Sequence, residues 1–222
     1  MICIPIMTKN TDGALKKMAK ANTLADIIEI RLDVMEEFDL KEIIKSATKP
    51  ILATYRSRRE GGRGSAGYET RVRHLSDAMG AGADYVDVEF GIPLEHRQTI
   101  FQNRGSCNIV VSLHLRNGTP SRERLDLLFK KMVATGADVV KIVTWAGKYE
   151  DNLRVLELIP RAQAIGIKMI AFCMGPLGRI SRIASPLMGG YMTFASLEGG
   201  EESASGQIPA LDMKKILEML SS

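Results

Sequence analysis

Short runs of aliphatic and β-branched residues recur about every 25 to 30 residues along the chain, each followed by an amphipathic stretch. This rhythm predicts eight strands, at residues 2–6, 26–32, 51–55, 84–90, 108–114, 138–144, 168–173 and 191–195. Helical periodicity fills the gaps at 13–21, 68–80, 122–135 and 151–165, and again near 211–220. Gly82, Gly136 and Gly166 each stand just before an expected strand, where a glycine that ends a helix belongs. Gly-Ala-Asp occurs twice, at 82–84 and 136–138, as a repeated strand–helix unit would produce. Such alternation argues for an α/β fold with a parallel sheet covered by helices. A single (β/α)8 TIM barrel over residues 1–222 fits the strand count, although the chain is short for that fold. A doubly wound open sheet is the alternative, since counting strands does not separate the two. No linker, low-complexity segment or break in composition marks a second domain.

The expected strands begin apolar and end polar. The second ends Glu29-Ile-Arg31-Leu-Asp33, the third runs into Arg56, and the fourth reads Asp87-Val-Glu89. The fifth ends Ser112-Leu-His114, the sixth carries Lys141, and Met174 follows the seventh. Alternate strand residues share a face, so Glu29 joins Arg31 and Ser112 joins His114. If those faces point inward, charges converge on one mouth of the barrel, the end where barrel enzymes carry their active sites. Each residue also has a plainer reading. A strand-end Glu-x-Arg is commonly a rim salt bridge, and a lone histidine is commonly structural.

Lys141 is harder to read that way. It lies between Val139-Val140 and Ile142-Val143, and an ammonium inside a buried parallel strand is rare. Such a lysine either pairs with a carboxylate or is held partly neutral. Bringing a lysine from about 10.4 to near 7 takes roughly 4 to 5 kcal/mol, which burial and nearby arginines supply. A free amine attacks a carbonyl to form an imine, and the imine eases removal of the neighbouring proton. Histidine suits that proton transfer.

Composition narrows the field. With 45% hydrophobic and 25% charged residues the chain is ordinary for a globular protein, and its length suffices for a core without disulfides or metal. Cys3, Cys107 and Cys173 are far apart in apolar runs and are expected as buried thiols in a reducing compartment. No basic leader, membrane-length apolar stretch or cleavage site is visible, so a cytoplasmic protein is expected. The net charge is +4, and Arg56, Arg58, Arg59 and Arg63 fall close together. They lack interleaved aromatics and any nucleic-acid motif, so a solvated rim or a small-anion site is the expectation. Gly62-Arg-Gly64-Ser-Ala-Gly67 fits GxGxxG, but the charged segment 56–61 separates it from the strand, which argues against nucleotide binding. His74, His96 and His114 show no metal-ligand spacing with the cysteines.

Six segments together resemble type I 3-dehydroquinate dehydratase. They are Glu29-Ile-Arg31-Leu-Asp33, Thr54-Tyr-Arg56 with Glu60-Gly-Gly62, Ser112-Leu-His114, Val140-Lys141-Ile142, Ile180-Ser-Arg182 and Ser203-Ala-Ser-Gly-Gln207-Ile-Pro209. They stand in that family's order over nearly the whole chain. The resemblance implies dehydration of 3-dehydroquinate to 3-dehydroshikimate in the shikimate pathway, without metal or organic cofactor, by a homodimer. It makes Lys141 the Schiff-base lysine, His114 the general acid and base, and Glu60 the group that orients His114. It assigns Arg182 and Gln207 to gripping the substrate, Arg182 chiefly at the carboxylate. Glu29, Arg31, Arg56 and Ser203 would meet ring hydroxyls or the carboxylate, and Met174, Phe194 and Ala204 would wall the ring. Two stretches depart from the pattern: Thr144-Trp145-Ala146 after the lysine strand, and the acidic, glycine-rich 197–202, a candidate lid. Neither is expected to touch a catalytic position. The rivals are another Schiff-base barrel lyase, such as a class I aldolase, and a non-catalytic anion-binding barrel.

Overall fold

In the computed structural model, which describes residues 1–221, strands and helices alternate along the chain. They are β1 (Ile2–Ile6), α1 (Thr11–Leu24), β2 (Ile27–Arg31), α2 (Leu40–Ser46), β3 (Ile51–Thr54), α3 (Tyr68–Gly80), β4 (Tyr85–Glu89), α4 (Leu94–Gln102) and β5 (Asn108–Leu115). Then follow α5 (Arg122–Val133), β6 (Val139–Trp145), α6 (Glu150–Leu156), α7 (Leu158–Gln163), β7 (Lys168–Met174), α8 (Arg179–Leu187), β8 (Thr193–Phe194) and α9 (Ala210–Ser221). The strands pair in parallel in the order β7-β6-β5-β4-β3-β2-β1-β8. Neighbours are consecutive all the way round and β1 lies beside β8, so the order never reverses as a doubly wound sheet requires. The Tyr191 N–H donates to the Met169 carbonyl at 2.7 Å across the remaining gap. The fold is a nearly closed (β/α)8 barrel.

Side-chain alternation builds the interior in layers. Cys3, Ile27, Leu52, Val110, Val139, Ile170 and Met192 fill the lower layer. Two residues further along the strands, the inward positions become Glu29, Thr54, Asp87, Ser112, Lys141, Phe172 and Phe194, all buried. The outward residues of the same strands, such as Ile28, Ile30, Val86, Val111 and Ile142, pack beneath the helices in the larger core.

The Gly-Ala-Asp repeat has a structural cause. Gly82 and Gly136 take left-handed φ values of 100° and 80°, turning the chain out of a helix. The aspartate that follows then accepts an N–H from the start of the preceding strand. Asp84 Oδ2 receives Ile51 N at 2.8 Å, and Asp138 Oδ2 receives Ile109 N at 2.7 Å. Asp26 does the same for Ile2 N at 2.7 Å. These carboxylates satisfy donors at the foot of the barrel, leaving its upper mouth for other work.

Some elements differ from expectation. The helix expected at 151–165 is two helices, α6 and α7, that meet at Glu157. Pro160 has no N–H to give the Leu156 carbonyl, so the helix cannot run through unbroken. The eighth strand is only Thr193–Phe194. Helices α2, α4 and α8 are additional to the expected ones. Among α4's residues only Ile100 is buried, and α8 turns Ser181, Arg182 and Ser185 inward while Ile180 and Leu187 face solvent.

Candidate active site

A cavity of about 250 Å³ opens at the C-terminal end of the barrel strands. All twelve residues expected at the site line it: Glu29, Arg31, Arg56, Glu60, His114, Lys141, Met174, Arg182, Phe194, Ser203, Ala204 and Gln207. Gly61, Arg116, Val143, Trp145, Phe172 and Ser205 complete the wall. Trp145, in the stretch after the lysine strand that departs from the family's pattern, is part of this wall without touching Lys141 or His114 through any hydrogen bond. As the last residue of β6 it still points inward, and its ring packs over Gly175, where a Cβ would sit 3.1 Å from it.

Lys141 is 3% exposed. Its Nζ lies 3.4 Å from Asp87 Oδ2 and 4.0 Å from the centre of the Phe194 ring. Asp87 is more tightly engaged elsewhere: Arg56 Nη2 is 2.7 Å from the same oxygen, and the Ser112 hydroxyl donates to Oδ1 at 2.5 Å. Burial works against the Asp87 carboxylate, but Arg56 and then Lys141 hold it below the usual range. Asp87 was visible in the sequence as a strand-end acid but was not singled out.

His114 stands on β5. Its Nδ1 is 3.0 Å from Glu60 Oε2, and its backbone N–H donates to the same oxygen at 3.0 Å. Burial, then the positive charges of Arg56, Lys141, Arg31 and Arg182, hold the imidazole well below its ordinary value. The ring is therefore neutral at pH 7. Burial pushes Glu60 up to about 7; Arg56 opposes this, while Glu89 and Asp87 reinforce it.

Glu60 reaches His114 because its loop folds back on β3. The Ser57 hydroxyl accepts Glu60 N at 3.3 Å, and the Gly64 N–H returns to the Arg56 carbonyl at 3.0 Å. A Cβ at Gly62 would stand 2.1 Å from the Arg56 carbonyl oxygen, and one at Gly64 would stand 2.3 Å from the Tyr55 ring. The first two glycines of the GxGxxG string thus serve close packing of this loop.

The three inward arginines differ in how they are compensated. Arg31 makes two bonds to Asp33, at 2.8 and 2.9 Å. Arg56 is surrounded by Asp87, Glu60, Glu89 and Ser112, so its guanidinium is committed although it lines the cavity. Arg182 is 1% exposed, and no carboxylate lies within ion-pair distance of it among the described residues. Its Nη2 donates to the Ser205 carbonyl at 3.2 Å, its guanidinium lies 4.5 Å from the Phe172 ring centre, and its Nε has no partner. Burial pulls its pKa down to about 10. A cation buried without a counter-ion is costly, and the cavity is the side from which one can arrive.

Gln207 Oε1 accepts from Ser203 N at 2.7 Å, Ser203 Oγ at 3.3 Å and Ala204 N at 3.4 Å, which folds the loop after β8 over the mouth. The acidic stretch 197–202 is tied to α1 by ion pairs Lys17–Glu201, at 2.8 Å, and Lys20–Glu198. Among the described residues no helix is long and apolar enough to cross a membrane.

A model of the type I 3-dehydroquinase family matches residues 2–222. The chain is 39% identical over 219 residues to the bifunctional 3-dehydroquinate dehydratase/shikimate dehydrogenase of Arabidopsis thaliana, a match covering 96% of this chain and 36% of that protein. It thus spans about a third of that relative's length. With the 3-dehydroquinate dehydratase of Methanocaldococcus jannaschii it shares 32% identity over 222 residues, 99% of each chain. The solved 3-dehydroquinate dehydratase of Geobacillus kaustophilus has the same fold, with a TM-score of 0.87 at 30% identity over 99% of this chain and 90% of that one. Matched from its second residue to its last, and by relatives of its own length, the chain belongs to the type I 3-dehydroquinase family.

Proposed function

We propose that this chain dehydrates 3-dehydroquinate to 3-dehydroshikimate through an imine on Lys141, with His114 moving the protons. As a type I 3-dehydroquinase the chain is a hydro-lyase. One observation carries the finer reading. A buried amine, a neutral imidazole braced by a carboxylate, and a guanidinium without a counter-ion share one small cavity.

Each group then has a task. Arg182 takes the substrate carboxylate as its missing counter-ion, a contact suited to two parallel hydrogen bonds. Gln207 has its carbonyl oxygen occupied by the Ser203–Ala204 backbone, which leaves its NH2 group to donate to the ligand. Phe194, Phe172 and Met174 supply an apolar wall for the ring. Glu29 accepts from Thr54 at 2.8 Å, and its other oxygen is left for a ring hydroxyl. Glu60 holds Nδ1 of His114, so Nε2 is the nitrogen that works.

His114 takes a proton from the Lys141 nitrogen, which adds to the ketone carbon, and the carbinolamine loses its hydroxyl as water with that same proton. His114 then removes the α-proton, and the bonding pair flows into the iminium to leave an enamine. The enamine expels the β-hydroxyl, which departs as water with the proton His114 has just taken. Addition of one water to the conjugated iminium frees the product and the amine, so one water is lost overall. General acid–base assistance of this kind gives about 10² to 10⁴ in rate.

Borohydride tests the reading. Treated together with 3-dehydroquinate, the enzyme is expected to carry a reduced adduct on Lys141, located by mass spectrometry of its peptides. Turnover without any adduct, or an adduct on another lysine, refutes the imine assignment.

A further inference from the structure

We propose that Glu89, at the end of β4, is a positioning residue for the acid–base pair, clamping the loop that carries Glu60 and supplying negative charge behind it. The inference rests on the assignment of proton transfer to His114. Glu89 does not line the substrate cavity. It lines a separate cavity behind Glu60 and His114, bordered also by Ser57 and Arg71.

Two of its contacts act on the loop. Oε1 accepts the Ser57 N–H at 2.7 Å and lies 3.4 Å from Arg56 Nη1. Ser57 opens the single turn Arg58–Glu60 and caps it through its hydroxyl, so fixing Ser57 fixes where Glu60 points. Oε2 receives Arg71 Nη1 at 3.2 Å. Arg71 in turn donates through Nε to the Ala66 carbonyl at 2.9 Å and lies over the Tyr55 and Tyr68 rings at 5.9 and 5.2 Å. The loop is therefore held near both ends, at Ser57 and Ala66, by one ion pair.

The charge matters separately from the geometry. Glu60 faces Arg56 from β3's end, Asp87 and Glu89 from β4 and His114 from β5, while Arg116 packs against the adjacent Gly61. Burial raises Glu60, and Arg56 opposes that rise. Glu89 shares that guanidinium and adds a like charge, working with burial to weaken the hold of Arg56 on the Glu60 carboxylate.

The test compares Glu89→Gln with Glu89→Ala. Glutamine keeps an acceptor for Ser57 and removes only the charge; alanine removes both. Two readouts are taken: kcat and KM across pH, and the ¹⁵N titration of His114 in the unliganded enzyme, assigned against His114→Ala among the chain's three histidines. Glu89→Ala is expected to lose about tenfold or more in kcat with little change in KM, as misplaced catalytic groups do. Glu89→Gln should recover much of that kcat. In Glu89→Gln the acid limb of the profile and the His114 titration should both move to lower pH. An unmoved His114 titration overturns the proposal, as does wild-type kcat in Glu89→Ala. Because the titration needs no turnover, its result stands even if His114→Ala remains active, an outcome that would instead refute the assignment of proton transfer.

Discussion

Replacing Arg182 by methionine should make the unliganded protein more stable while removing its ability to hold substrate. The guanidinium is 1% exposed and has one backbone carbonyl and one aromatic ring for company. Its fall to about 10 on burial means that the folded state binds this proton less tightly than the unfolded chain does, so at pH 7 the charge opposes folding. That difference corresponds to about 3 kcal/mol. Against it stand the lost hydrogen bond to Ser205, about 1 kcal/mol, and the lost contact with Phe172, about 0.5 to 1 kcal/mol. The net gain is about 1 to 2 kcal/mol, a rise in Tm of about 2 to 8 °C for a chain of this size. Substrate loses two charge-assisted bonds at once, about 3 kcal/mol or more, so kcat/KM should drop at least about 100-fold. Thermal unfolding followed by circular dichroism, with steady-state kinetics on the same preparation, reads both effects. A Tm lowered by several degrees would show that Arg182 stabilises the empty fold, and the argument that it awaits an anion would fail.

The other outcomes are more direct. Lys141→Ala should abolish turnover and the borohydride adduct while leaving the barrel folded, checked by circular dichroism and mass spectrometry. His114→Ala should slow turnover by about 10² to 10⁴ yet still allow the imine to form, so borohydride still traps an adduct. Glu60 is raised in the folded state, so it binds its proton more tightly there and destabilises the fold as pH climbs from about 4.5 through about 7. In Glu60→Gln that decline should be missing from a denaturant-midpoint series between pH 4.5 and 8, and an unchanged slope would rule out Glu60 as its source.

The barrel was legible because its strands are buried on both faces and read as continuous apolar runs, each followed by a periodic helix. Helix α8 was invisible for the opposite reason. Its inward face is Ser181, Arg182 and Ser185, and its outward face carries Ile180 and Leu187. A hydrophobic pattern read there assigns the wrong side to the core. The same inversion is what delivers Arg182 to the cavity, so pattern reading failed where the site recruits a helix. Lys141 announced itself by contrast with its neighbours. Asp87, equally buried, did not, because Asp87-Val-Glu89 looks like any strand running out to solvent, and only the register of β4 against β5 shows that Asp87 lies opposite Val110, deep in the sheet.

Charge is polarised across the mouth, and this bears on how a substrate would be oriented. Glu29, Asp33, Glu60, Asp87 and Glu89 all come from β2, β4 and the loops that follow β2 and β3, where they neutralise Arg31, Arg56 and Arg71. Around Arg182, on the side of β7 and β8, none of them comes within ion-pair distance. An anionic ring is repelled from the first side and drawn to the second. With its carboxylate there, the remainder of a six-membered ring reaches toward Lys141 on β6 and His114 on β5. Orientation then follows from where the carboxylates are absent as much as from what the arginine attracts. Moving a negative charge to the Arg182 side, as in Ser205→Asp, should weaken substrate binding at least about tenfold by giving the guanidinium a resident partner. Unchanged KM in that variant would mean that the substrate's carboxylate is held elsewhere.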